Sequence, residues 1–306
     1  MYGLTKTILM ISMGILTTTA HPQNAIAQQS RLAAEVNGTV ITEHQINEAM
    51  KTLGVYGNDN RETFERMRER LIERTLIDQF LKSRGITAPK LLVERRMNHV
   101  EKILAQDDDP DQALENLHLT REQLRKEISL PLAWQRYVRQ VVTDGQISEY
   151  FQQHQQELDG TKRTVSQIFL KLPRDASESE VDQALKQLKE IQQSISKNEI
   201  SFTEAARKYS QAPTAEQGGV IGTFAFTGQM PRQIVEVAFQ TPEGEMCEPF
   251  RSIYGVHLLK VDKVIPGQLT PEDARPQILE HFDQQLWQET VKRLKAKGNI
   301  SYFELP

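Results

Sequence analysis

At 306 residues, with 37 Lys and Arg against 41 Asp and Glu, the chain carries a formal net charge of −4 and a lone cysteine. A balance this near to neutral, with no basic stripe, excludes a general nucleic-acid binder, and one thiol excludes an intramolecular disulfide scaffold or a cysteine zinc cage. At roughly 100–200 residues per domain the length predicts about two domains, each with chain enough for a packed core.

Residues 1–27 predict a cleavable signal peptide, with Lys6 ahead of an apolar run at 7–16 and the small-residue site Ala25-Ile26-Ala27 before Gln28. The apolar run stops at Thr17, short of the ~20 apolar residues that a spanning helix needs. The expectation is therefore an exported protein without stable membrane insertion. In residues 32–41 two short apolar runs flank Asn37-Gly38, a pair suited to a tight hairpin. Thr42 and Gln45 form a capping box for a helix reaching about residue 53. Helices follow at 61–84, 90–106 and about 110–116, with Asp107-Asp108-Asp109-Pro110-Asp111 read as a solvated, helix-capping run. Thr120 and Gln123 cap a helix to Val142 that contains Pro131, and Ser148 is expected to cap a short helix at 149–158.

Beyond Asp159-Gly160 the pattern changes to strand (163–172), helices (179–197 and 202–209), a glycine turn (218–222), strand (223–226), helix (231–239) and strand (256–261). This order predicts a compact α+β unit. A final helix runs from the Thr270 cap to Gly298, and Leu279, Phe282, Leu286 and Leu294 need a partner surface. The surplus apolar area earlier in the chain predicts that this helix returns there, with 299–303 adding a strand to the hairpin. The expected organisation is thus signal peptide 1–27, helical domain 28–160, α+β domain 161–265, and 266–306 completing the helical domain.

The chemistry-bearing residues exclude several sites. The seven histidines lack metal-ligand spacing with carboxylates, so neither metal nor cofactor is expected. Residues 218–222 open no βαβ unit and lack a phosphate-loop Lys, no Gly-x-Ser-x-Gly elbow occurs, and Cys247 reads as a small, partly buried side chain.

Residues 202–239, FTEAARKYSQAPTAEQGGVIGTFAFTGQMPRQIVEVAF, followed by 248–261, EPFRSIYGVHLLKV, resemble the parvulin family of peptidyl-prolyl isomerases; the resemblance covers 163–264. A helical region, a parvulin domain and a returning C-terminal helix behind a signal peptide are similar to the SurA family of periplasmic chaperones. The parvulin resemblance implies an apolar proline slot at Ile221, Met230 and Ile234, the last where the family usually has Phe. It implies a polar cluster containing His257 and Ser252, with Gln167 where the family has its first His and Ala212 where it has Asp or Cys. Val220 replaces the usual Asp of the glycine turn. The resemblance further implies a periplasmic location and unfolded polypeptide clients, outer-membrane proteins among them, and leaves the oligomeric state open. Two functions stay open: a client-binding chaperone with a catalytically degenerate parvulin domain, favoured by Gln167 and Ala212, and a working isomerase, favoured by Met230, Ser252 and His257.

Overall fold

The computed structural model describes residues 31–52, 61–106, 109–117, 119–228 and 230–304. The expected signal peptide and its cleavage site lie outside the described residues, as do Leu53, Asp107 and Asp108. The chain divides into two compact units, one built from the described residues up to Thr143 and from Leu279 onward, the other from Asp144 to Ile278.

In the first unit, β1 (Leu32–Val36) and β2 (Thr39–Thr42) pair antiparallel through a turn in which Asn37 and Gly38 take φ of 49° and 83°. That positive-φ pair is what the Asn-Gly step supplies. Thr42 and Gln45 close the capping box, the Gln45 amide N–H donating to Thr42 Oγ1 at 3.2 Å and the Thr42 N–H to Gln45 Oε1 at 2.9 Å, and open α1 (Glu43–Thr52). There follow α2 (Arg61–Ser83), α3 (Lys90–Leu104), α4 (Pro110–Asn116), capped by Asp109, and α5 (Arg121–Val141), capped by Thr120 and holding Pro131 inside it. The wide apolar surface of α2 serves several neighbours: Leu71, Ile72 and Leu76 join Val36, Ile41 and Ile46 in one apolar body. Val93, Met97 and Val100 of α3 meet Leu124 and Ile128 of α5 in another.

The chain returns to this unit through α11 (Pro271–Lys297) and β7 (Ile300–Tyr302). Leu294 packs on the α2 body, Lys295 Nζ donates to Glu69 at 2.9 Å and Glu73 at 3.0 Å, and the Trp287 ring meets the buried Trp134 edge-on at 5.1 Å. β7 pairs antiparallel with β1, Ala34 opposite Tyr302. The hairpin turn helps to hold this strand, since the Asn37 N–H donates to the Asn299 carbonyl at 2.8 Å and Asn37 Oδ1 accepts the Asn299 N–H at 2.8 Å.

The second unit starts with α6 (Asp144–Gln153) and α7 (Gln155–Leu158). Here the expected cap is corrected: the helix begins at Asp144, not after Ser148, which lies inside it. An acidic first residue suits the helix N-terminus, and the i,i+4 pair Ile147 and Phe151 is buried, so the apolar spacing extends the helix back past Ser148. A sheet in the order β4-β3-β6-β5 follows, with every neighbouring pair antiparallel. It is formed by β3 (Lys162–Lys171), β4 (Val220–Ala225), β5 (Phe250–Ser252) and β6 (Gly255–Ile265). Ser177 caps α8 (Glu178–Ser196), Ser201 caps α9 (Phe202–Tyr209), and α10 (Arg232–Gln240) follows Pro231. Val165, Ile168, Leu188, Ala205, Ala238, Leu258 and Val261 form its core. The fold class is α+β, as the order of elements predicted: a helical unit completed by the C-terminal helix, with an α+β unit inserted whose sheet and helices run β-α-α-β-α-β-β.

Candidate functional site

Strand alternation decides which side chains meet. Gln167 and Phe169 share one face of β3 while Ile168 turns to the core, and antiparallel register sets Phe169 opposite His257 and Gln167 opposite Leu259. Gln167 and His257 are therefore diagonal neighbours across the strand pair, within reach of long side chains. The His257 Nδ1–H donates to Gln167 Oε1 at 3.1 Å. The other ring nitrogen then carries no proton and accepts the Ser252 hydroxyl at 2.7 Å. Ser252 Oγ in turn accepts the Tyr254 N–H at 3.0 Å. A polar chain of one fixed direction thus runs from the Tyr254 backbone through Ser252 and His257 to Gln167.

The glycines on either side of this chain are required by space. Gly219 has φ of 85°, and a Cβ there would run into the Gln167 carbonyl oxygen and come within 3.0 Å of Ala206 Cβ. That approach lets the Gln167 N–H donate to the Gly219 carbonyl at 2.8 Å. Gly255, which closes the turn after Ser252, has φ of 148°, and a Cβ there would meet the Leu170 carbonyl oxygen.

The imidazole is buried, 5% exposed, between two aromatic rings: Phe250 stacks at 5.3 Å and 20°, Phe169 lies tilted at 4.8 Å. Burial disfavours the imidazolium and lowers the His257 pKa to about 4. Gln167 cannot offset this, because an amide has no charge to offer. At neutral pH the site is an oriented, uncharged hydrogen-bond chain. Phe169 and Phe250 were not among the residues singled out from sequence, although Phe169 lies two positions from Gln167, the spacing that puts two strand residues on one face.

The three residues expected to form a proline slot all belong to the apolar body of this unit. Ile234, in the first turn of α10, is buried in it, while Ile221 on β4 and Met230 ahead of α10 pack against it half-buried. Ala212 is buried after α9, in a segment pinned to β3 by the Gln211 N–H donating to the Phe169 carbonyl at 2.7 Å. Val220 stands 45% exposed at the start of β4. Neither Ala212 nor Val220 takes part in the His257 chain. Cys247 is buried, and its thiol, pushed up to about 11 by burial, accepts the Leu259 N–H at 3.2 Å, which is a packing role.

Amide rotation has a barrier of ~18–20 kcal/mol, and lowering it calls for tighter binding of the twisted than of the planar amide, not for covalent chemistry.

Residues 168–263 match the family described as Rotamase: PPIC-type PPIASE domain. The chain is 25% identical to Chaperone SurA of Photorhabdus laumondii over 281 residues, 86% of this chain, and spans 63% of that relative's length. It is 25% identical to Chaperone SurA of Vibrio cholerae over 325 residues, covering 98% of this chain and 73% of the relative. The crystal structure of the peptidylprolyl isomerase PrsA from Bacillus cereus superposes with a TM-score of 0.52 at 17% identity, over 90% of this chain and 95% of that one, a likeness of fold. Since the inserted unit carries the rotamase match and the similarity to SurA runs on through the helical unit around it, the chain is a SurA-like protein bearing a PPIC-type parvulin domain.

Proposed function

We propose that the chain is an exported folding factor of the periplasm that holds unfolded polypeptides, outer-membrane proteins among them, and that its parvulin domain serves first as a proline-directed binding surface. One observation carries this reading: the apolar residues Ile221, Met230 and Ile234 are kept in one body, while the polar chain of His257 ends on the amide of Gln167 and Ala212 adds no polar group. Binding an extended apolar segment needs apolar area and backbone partners. It does not need a titrating cluster.

A second reading, an active peptidyl-prolyl isomerase, is favoured by the Ser252–His257 hydrogen bond of 2.7 Å. The experiment is a protease-free isomerisation assay on a short X-Pro peptide, comparing the chain with Met230→Ala, alongside suppression of aggregation of an unfolded outer-membrane barrel. The binding reading expects aggregation suppression, weakened by Met230→Ala, with isomerisation near the uncatalysed rate. Acceleration well above that rate, lost in Met230→Ala, makes the second reading the right one. Absence of both activities overturns the proposal.

A further inference from the structure

Arg163, on β3, is 4% exposed. Burying a guanidinium is costly unless its donors are used. Here Nη1 donates to the Ala238 carbonyl at 2.7 Å and also to the Thr241 carbonyl, Nη2 donates to Gln156 Oε1 at 2.6 Å, and the group lies over the Phe239 ring at 4.9 Å. Among the described residues these hydrogen-bond acceptors are carbonyl and amide oxygens, not carboxylates. Ala238 lies in the last turn of α10 and Thr241 is its C-cap, so the cation sits at the negative end of that helix, sharing the Ala238 carbonyl with the Thr241 N–H, which donates to it at 3.4 Å.

The other end of α10 matters for the site. Met230 and Pro231 lead into it and Ile234 lies in its first turn. The helix rises 1.5 Å per residue, so Ile234 is about 9 Å from the clamped end at Gln240. An α-helix this short transmits a displacement of one end to the other almost unchanged. From this geometry we infer that Arg163 is a positioning residue, which fixes α10 through its C-terminal carbonyls and so sets where Met230 and Ile234 stand for a proline ring. The inference rests on the reading of Met230 and Ile234 as the proline-binding wall.

The experiment uses the full chain as Arg163→Met and Arg163→Lys, each checked for a cooperative thermal transition. The readouts are methyl NMR of Met230 and Ile234, and KM and kcat for a short Leu-Pro peptide. In R163M the Met230 and Ile234 methyl resonances are displaced while those of Ile72 and Ile128 in the helical unit stay. If the wild-type chain accelerates isomerisation, KM in R163M rises about fivefold with kcat within about twofold, and R163K recovers at least half of the KM change; in either case R163K returns the two methyl resonances at least halfway to their wild-type positions. A folded R163M with unmoved Met230 and Ile234 methyls overturns the inference, and so does a loss confined to kcat. If R163M does not fold, Arg163→Gln decides: its single uncharged amide cannot replace the guanidinium fork on Ala238 and Thr241, so unmoved methyls there overturn the inference equally. A wild-type chain that does not accelerate isomerisation removes the isomerase reading on its own, and the methyl shifts, which need no turnover, still decide the role of Arg163.

Discussion

The Ser252 hydroxyl and His257 Nε2 stand 2.7 Å apart, and on the far side of the same ring Nδ1 is 3.1 Å from Gln167 Oε1. Both ring nitrogens are thereby used, one as acceptor and one as donor, so the imidazole is held in one tautomer and has no site left for a second proton unless Ser252 turns away.

The first prediction concerns pH. An unfolded histidine titrates near 6.5, whereas His257 in the fold titrates at about 4. Between those values the unfolded chain binds the extra proton and the folded chain does not, so stability from this site is complete above pH ~6.5 and falls as pH drops through the window, levelling below about 4. A histidine NMR titration is expected to show the His257 ring unchanged from pH 8 to ~5.5. Gln167→Glu, which sets a carboxylate beside Nδ1, moves that midpoint up, and an unchanged midpoint in the variant would falsify the geometry of the pair.

Gly219→Ala tests the close approach of two backbone segments. The added methyl meets the Gln167 carbonyl and must adopt φ near 85°, at a cost of about 1–3 kcal/mol. Urea unfolding is the measurement, and the Gln167 amide, now donating to Gly219 at 2.8 Å, is expected to lose hydrogen-exchange protection.

In the helical unit Arg74 Nη2 donates to Glu127 Oε2 at 2.9 Å with both side chains buried, 7% and 3% exposed. Glu127→Ala leaves a guanidinium buried without its carboxylate and is expected to cost about 3–5 kcal/mol. The double variant Arg74→Met/Glu127→Leu recovers most of that loss, because neither charge then has to be buried. Thermal unfolding of the single and double variants separates the cost of breaking the pair from the worth of having it.

The returning helix α11 is held by packing more than by charge. Lys295 and its partners Glu69 and Glu73 remain about one-third exposed, so Lys295→Met is expected to change stability by no more than about 1 kcal/mol. Trp134, which meets Trp287 of α11 and is 2% exposed, is expected to cost about 3–5 kcal/mol on truncation to Ala. Denaturant midpoints for the two variants give the comparison directly.

Much of this molecule could be read from local chemistry. The Asn37-Gly38 turn and the Thr42–Gln45 and Thr120–Gln123 boxes use side chains within three residues of the backbone they serve, and their positions are local properties of the chain. The short edge strand β5 was not expected, because three residues carry too little alternation to stand out, and its pairing with β6 supplies what its own sequence does not. The start of α6 at Asp144 was missed for the opposite reason, since Ser148 offered an equally good cap and the burial of Ile147 chose between them. Of the proposed site, His257, Ser252, Gln167, Ile221, Met230 and Ile234 were named through the resemblance to parvulins. Their hydrogen-bond directions, the Phe169 and Phe250 rings around the imidazole and the clamp of Arg163 on Ala238 and Thr241 were not. Those depend on strand register and on contacts between residues 7 to 90 positions apart, where local propensity is silent. The sequence by itself determined the capped helices, the hairpin turn and the residue types available to the site; only the tertiary structure decided that His257 is buried between aromatic rings, and desolvation there is what keeps it neutral.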